Sequence, residues 1–226
     1  MIAKIFTINF GGVNGYLVQS GTNYILIDTG FPAKWSYLEK KLQKAGCNSE
    51  NLKLVVLTHG DHDHAGNCVS LRDKYGVKIA IDSDDSEIIE KGNMNWNRKN
   101  KPDRFSLMFR LMSLMSIFFK PGAFKTFIPD LYLDESFSFT PYGFNGKVIH
   151  IPGHSKGSIG ILTEDGSFIC GDFLYNFFGK PSQEFCDNME DYHSSAEKIK
   201  SLPVQIFYPG HGTPFTMQQF LKYIDN

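Results

Sequence analysis

The stretch Thr58-His59-Gly60-Asp61-His62-Asp63-His64-Ala65-Gly66-Asn67 constrains this chain more than any other. It sets five imidazoles and carboxylates within six consecutive positions, directly after the apolar run Leu54-Val55-Val56-Leu57, which reads as a buried strand. Crowding two carboxylates beside three imidazoles at the end of such a strand brings like charges together unless a cation compensates them. A divalent ion does so, because it takes deprotonated carboxylates and neutral imidazole nitrogens as ligands. A solvated polar turn is the other reading; the ligand density favours the metal.

At 226 residues the chain suits one domain, spanning 1–226. Its 23 basic and 24 acidic residues leave no basic footprint for nucleic acid or an anionic membrane, so the expected partner is a small-molecule substrate. Cys47, Cys68, Cys170 and Cys186 form no C-x-x-C pair, which argues against a disulfide framework or a thiolate zinc knuckle. The start, Met1-Ile2-Ala3-Lys4-Ile5-Phe6-Thr7, lacks the long apolar region and small-residue cleavage site of a signal peptide, so a reducing cytoplasm is the expected location.

Residues 2–10 and 16–19 read as strands joined by a glycine-rich turn, and Tyr24-Ile25-Leu26-Ile27 as a third ending at Asp28-Thr29-Gly30. Trp35, Leu38, Leu42 and Ala45 have helical spacing, with Gly46 as C-terminal cap. Residues 65–75 read as a short helix and Lys78-Ile79-Ala80-Ile81 as a strand, an alternation that packs helices on sheet faces. Further strands are expected at 147–151, 159–162, 168–170 and 204–208, and helices at 188–202 and 217–224.

Between Gly92 and about Pro129 the character changes. A polar segment, 93–103, precedes Phe105 to Phe119, which is apolar at 11 of its 15 positions, with Ser106, Arg110, Ser113 and Ser116 forming a narrow polar stripe. A membrane-spanning helix needs about 20 residues, so no stable insertion is expected. Three readings stay open: a core helix, a cap over an active site or a homodimer contact, and an interfacial membrane helix, the last weakened by the single arginine. Met108, Met112 and Met115 suit an adaptable apolar surface.

Three more polar residues sit beside glycine after apolar runs: His154 in Pro152-Gly153-His154, Asp172 in Gly171-Asp172, and His211 in Pro209-Gly210-His211. A sheet can deliver all three to one edge, where loops carry function. Together with Asn14-Gly15-Tyr16-Leu17-Val18, Ile27-Asp28-Thr29-Gly30 and the 58–67 stretch, these motifs make the chain resemble the metallo-β-lactamase superfamily of binuclear metallohydrolases. The resemblance implies an αββα sandwich of α+β class, with a helical insertion at about 92–129 and a metal site along one edge.

The superfamily's H-x-H-x-D-H pattern falls on His59, Asp61, Asp63 and His64, so an aspartate stands at its second histidine position. By resemblance, His59, Asp61 and His154 would serve one metal; Asp63, His64 and His211 would serve the other; Asp172 would bridge them. His62 occupies a variable position. Asp28 resembles the aspartate that supports the metal loops. The implied cofactors are two divalent ions, zinc in the first instance, with iron or manganese favoured by the harder carboxylate of Asp61.

The implied chemistry is hydrolysis by a metal-bound hydroxide, with Asp63 orienting the nucleophile or taking a proton. Tyr175, three residues after Asp172, matches a tyrosine of the lactonase branch that hydrogen-bonds the substrate's oxygen; its other reading is aromatic packing with Phe173, Phe177 and Phe178. With the apolar insertion, it points to a small ester, thioester or lactone. The alternative is an iron-dependent oxidoreductase of flavodiiron type receiving electrons from a separate partner, since that branch also carries a carboxylate at the position of Asp61. His193, His150 and Cys170 read as a helix start, a sheet residue and core packing.

Overall fold

The computed structural model describes residues 3–116 and 122–224. Its strands are β1 (Lys4–Asn9), β2 (Asn14–Ser20), β3 (Asn23–Ile27), β4 (Leu52–Val56), β5 (Ile79–Asp82), β6 (Arg104–Phe105) and β7 (Leu131–Leu133), then β8 (Gly146–His150), β9 (Ile159–Thr163), β10 (Ser167–Asn176), β11 (Phe185–Cys186), β12 (Ile206–Gly212) and β13 (Phe215–Thr216). They assemble as one sheet in the order β1-β2-β3-β4-β5-β7, a second in the order β13-β12-β10-β9-β8, and the ribbon β11-β6.

Connection lengths fix the strand directions. Tight turns make β1, β2 and β3 antiparallel neighbours, whereas β4, β5 and β7 lie parallel and need crossovers. The helices α1 (Trp35–Lys44), α2 (His62–Ala65), α3 (Cys68–Tyr75), α4 (Ser83–Lys91) and α5 (Leu107–Ser116) lie in these crossovers, and α6 (Met189–Lys200) and α7 (Met217–Ile224) belong to the second sheet.

Period-two alternation along the strands then separates the apolar residues into layers. Leu17, Leu26 and Val55 pack with Leu38, Leu42 and Leu71 of the helices. Their neighbours Tyr16, Val18, Ile25, Ile27, Leu54 and Val56 face the other way and meet Val148, Ile159, Ile161 and Ile169 between the sheets. Phe168, Cys170, Phe173 and Phe207 pack with Tyr192, Ala196, Ile199 and Phe220 of α6 and α7. Three apolar layers between four of secondary structure make the expected αββα sandwich.

Several elements depart from expectation. Helix α4 has too few apolar positions to stand out in sequence; the Asp82 carboxylate, accepting from Asp84 N, starts it, and left-handed Gly92 ends it. Strand β10 continues through Asp172, and β12 through His211, so these residues sit within strands rather than in loops beyond them. Between 92 and 129 only α5 is helical among the described residues, beside the short β6.

Helix α5 is not a core helix: Leu107, Leu111 and Leu114 are 70%, 54% and 60% exposed. The stretch from Ile117 to Pro121 lies outside the described residues, as do the side chains of Met112 and Met115. Among the described residues no helix is long and apolar enough to cross a membrane.

Candidate metal centre

Four segments converge where the two sheets open. The loop after β4 carries His59 and Asp61, α2 carries Asp63 and His64, the β8–β9 loop carries His154, and β10 and β12 carry Asp172 and His211. Backbone contact draws them together: Ile159 N donates to Thr58 O at 2.9 Å. Gly171, at φ +49°, leaves room for the loop after β4, because a Cβ there would stand 2.5 Å from Thr58 Oγ1.

Two ligand groups result. His59, His154 and Asp172 bring one donor atom each within 4.8 Å of one another, and so do Asp63, His64 and His211. Asp172 links them: its Oδ1 lies 3.2 Å from His64 Nε2, and its Oδ2 is 3.2 Å from His211 Nε2 and 4.0 Å from both His59 and His154 Nε2. Asp61 Oδ2 stands 3.5 Å from His59 Nε2 and 3.2 Å from His154 Nε2. Ligands about 2.0–2.2 Å from a shared tetrahedral ion stand about 3.3–3.6 Å apart; the 3.2 and 3.5 Å pairs are close to that spacing, and Asp172 Oδ2 stands wider, 4.0 Å from His59 and His154.

The tautomers point the same way. His64 Nδ1 meets Asp28 Oδ2 at 2.9 Å, His211 Nδ1 meets Gly12 O at 2.8 Å, and His154 Nδ1 meets Phe185 O at 3.2 Å. Those oxygens can only accept, so each Nδ1 carries the hydrogen and each Nε2 lone pair faces the centre. His59 Nδ1 reaches Thr58 Oγ1 at 3.0 Å, whose own hydrogen goes to Asp28 Oδ2 at 2.8 Å, giving the same tautomer. His59 Nε2 and His64 Nε2 are buried with no hydrogen-bond partner, an arrangement a cation would resolve.

Electrostatics without an ion show the strain of the arrangement. Burial works against the Asp172 charge, yet His211 and His64 hold its carboxyl well below the usual range. Burial opposes the His64 charge too, but Asp172, Asp28 and Asp63 raise its pKa well above the ordinary imidazole value. His211 is raised by Asp172 against its burial, whereas burial lowers His154. Burial and then Asp172 push the Tyr175 phenol well up, so it keeps its proton and donates to Asp172 Oδ2 at 2.7 Å. Its ring stacks on His211, 4.9 Å between centroids.

Other expected residues stand aside from the two groups. His62 stacks on Phe124 at 4.0 Å rather than joining either. His150 Nε2 meets Lys156 O, His193 is exposed on α6, and Cys170 is buried. Asp28 lies beneath the centre and accepts from Thr58 N as well as from Thr58 Oγ1 and His64.

Two residues that sequence reasoning missed are prominent here. Asp85, buried, accepts from Gly60 N, Ser155 Oγ and Gly157 N, tying the 58–67 loop to the His154 loop. Arg98 lies within the segment read only as polar, and its Nη2 sits 2.8 Å from Asp61 Oδ1. The one signal for it was indirect: an aspartate out of pattern among buried ligands calls for a cation.

The profile of the metallo-beta-lactamase superfamily matches residues 8–211. The beta-lactamase-like protein 2 homolog of Drosophila melanogaster is 30% identical over 204 residues, covering 89% of this chain and 59% of the relative. The hydroxyacylglutathione hydrolase GloC of Haemophilus influenzae is 27% identical over 202 residues, covering 87% of this chain and 84% of the relative. The chain thus spans less than two thirds of the Drosophila relative's length. Among solved structures, BJP-1, a subclass B3 metallo-beta-lactamase of Bradyrhizobium japonicum, superposes with a TM-score of 0.72 at 18% identity, covering 99% of this chain and 88% of that one. That likeness concerns the fold.

Proposed function

Because the chain belongs to the metallo-beta-lactamase superfamily, we propose that it is a metal-dependent hydrolase of a small ester, thioester or lactone. The observation that carries this reading is the convergence of four Nε2 atoms with the carboxylates of Asp63 and Asp172 into two groups linked through Asp172, with Asp61 Oδ2 beside His59 and His154 of the first. His59, Asp61 and His154 would hold one divalent ion, Asp63, His64 and His211 the other, and Asp172 both; zinc is the proposed metal. When bound, such ions supply an activated water and a Lewis acid for the substrate's carbonyl oxygen.

The chain's own residues do the rest. Asp63 is the most open of the three carboxylates, 22% exposed at its side chain, with Oδ2 at 3.6 Å from His211 and 3.9 Å from His64. It can orient a water or accept its proton. Tyr175 donates its phenol hydrogen to Asp172 Oδ2 and so holds that carboxylate in place; to hydrogen-bond a substrate's oxygen it would have to turn that hydrogen away from Asp172. Phe109 of α5 packs on Tyr175 and on Phe185, giving the acyl part of a substrate an apolar wall. GloC's name as a hydroxyacylglutathione hydrolase supports an acyl substrate. The flavodiiron alternative rests on the carboxylate of Asp61 alone, and GloC's name as a hydrolase weighs against it.

Elemental analysis of the purified protein, then assays of lactones, thioesters and phosphodiesters on the metal-replete form, tests the reading. Two divalent ions per chain and metal-dependent cleavage of a carboxylic ester or thioester are expected. Cleavage of phosphodiesters alone, or no metal-dependent hydrolysis, overturns it.

A further inference from the structure

We propose that Arg98 is a positioning residue of the first metal group: its guanidinium faces both oxygens of Asp61 and fixes the carboxylate so that Oδ2, turned toward His59 and His154, takes the place of the imidazole found here in the superfamily pattern. The inference rests on the two-metal reading above.

Arg98 reaches both oxygens of the Asp61 carboxylate. Oδ1 lies 2.8 Å from Arg98 Nη2 as an ion pair, with no hydrogen-bond partner of its own, whereas Oδ2 accepts from Arg98 Nη1 at 3.3 Å and stands 3.5 Å from His59 Nε2 and 3.2 Å from His154 Nε2. A two-pronged guanidinium contact fixes the plane of a carboxylate, which a lysine's point charge would not do. Arg98 is itself fixed. Its side chain is 7% exposed, and its guanidinium lies 5.3 Å over the Phe185 ring. The next residue, Lys99, donates its backbone N–H to Asp187 at 2.8 Å. Phe185 also supplies the carbonyl that holds His154 Nδ1, so one strand orients two members of the group.

Charge gives the second half of the argument. A neutral imidazole at position 61 would add no charge to the centre; an aspartate alone adds one negative charge in a buried place. Asp61 with Arg98 adds none. Without Arg98 the charge of Asp61 would be left to the ion alone, and a guanidinium without Asp61 would stand 3.5 Å from His154 Nε2, beside the cation that nitrogen would hold.

The test reads ion content and affinity, by elemental analysis and zinc titration, so that it stands apart from hydrolysis. Asp61→Asn, which keeps the shape and strands Arg98, and Asp61→His should each weaken the first ion by about 10–100-fold while sparing the second. Asp61→His with Arg98→Gln should recover most of that loss. Undiminished binding of both ions in Asp61→Asn overturns the proposal, as does a folded double variant no better than Asp61→His alone. One ion in the wild type but two in Arg98→Gln also overturns it, since the guanidinium would then stand in for an ion. Expected ion content without hydrolysis in the wild type would refute the proposed function and leave this inference intact.

Discussion

Asp28→Asn is the cleanest probe of the support beneath the centre. Asp28 has φ +59°, a left-handed conformation that asparagine shares readily and alanine does not, so the substitution changes chemistry without changing the backbone. The wild-type Oδ1 accepts Thr58 N at 2.9 Å, and Oδ2 accepts Thr58 Oγ1 at 2.8 Å and His64 Nδ1 at 2.9 Å. An amide must keep its oxygen toward the Thr58 N–H, which turns its NH2 toward the other two groups. The threonine hydroxyl can rotate to accept. His64 can accept only by moving its hydrogen from Nδ1 to Nε2, the atom that faces Asp172 at 3.2 Å and would bind the ion.

Losing such an outer partner lowers metal affinity by about 10–100-fold, which is about 1.4–2.7 kcal/mol. The metal-free fold should also lose about 1.5–3 kcal/mol with the charge-assisted hydrogen bond. Competitive zinc titration should therefore show weaker binding of the ion held by His64, with the ion at His59 and His154 less affected. Thermal unfolding of the metal-free form should shift down. Unchanged affinity for both ions would refute the claim that Asp28 sets the His64 tautomer.

Three further outcomes are expected. Tyr175→Phe removes the 2.7 Å hydrogen bond to Asp172; ion affinity should weaken, and with both ions saturating turnover should still fall about ten-fold or more, so that full activity on every accepted substrate would remove the proposed role. Gly210→Ala would place a Cβ 2.1 Å from Asp172 Oδ1 and 2.7 Å from His64 Cε1, so the variant should lose bound metal, and two ions at wild-type affinity would contradict the packing. In the metal-free protein His64 and His211 have raised pKa values and His154 a lowered one. A raised histidine stabilises the fold below the ordinary value of 6.5 and loses that contribution as pH rises through its folded-state value. His154 and His62, whose values burial lowers, change stability only below 6.5, so the melting temperature of the metal-free form should fall from pH 6.5 upward while zinc affinity rises; a metal-free melting temperature that climbs over that window would contradict it.

The fold was largely legible because its signals are local. Leu17, Leu26 and Val55 alternate with residues of the opposite face, and each ligand motif follows an apolar run. Those signals fade where position depends on contacts distant in sequence. Helix α4 rests on the Asp82 cap and on Ile88 and Ile89, too few apolar positions to show a period. The apolar runs stop at Cys170 and Tyr208, short of the ends of β10 at Asn176 and β12 at Gly212. At Gly171 and Gly210, within the continuing strands, Thr58, Asp172 and His64 come too close for a side chain.

The same distinction runs through the site. The ligands announced themselves by residue type and motif, whereas the groups that hold them act across 25 to 88 positions of sequence: Asp85 on Gly60, Arg98 on Asp61, Lys99 on Asp187. What the sequence did contain was an imbalance. Asp61 added a negative charge where the superfamily pattern has none, and burial obliges the fold to answer it. A metal of different hardness was one possible answer, and it directed attention to iron and manganese. A guanidinium 2.8 Å away is another, and it needs no change of metal, because it returns the group to the charge a histidine would have given it. An aspartate out of pattern in a buried metal motif therefore calls first for a search for the cation that faces it, and only then for a different ion.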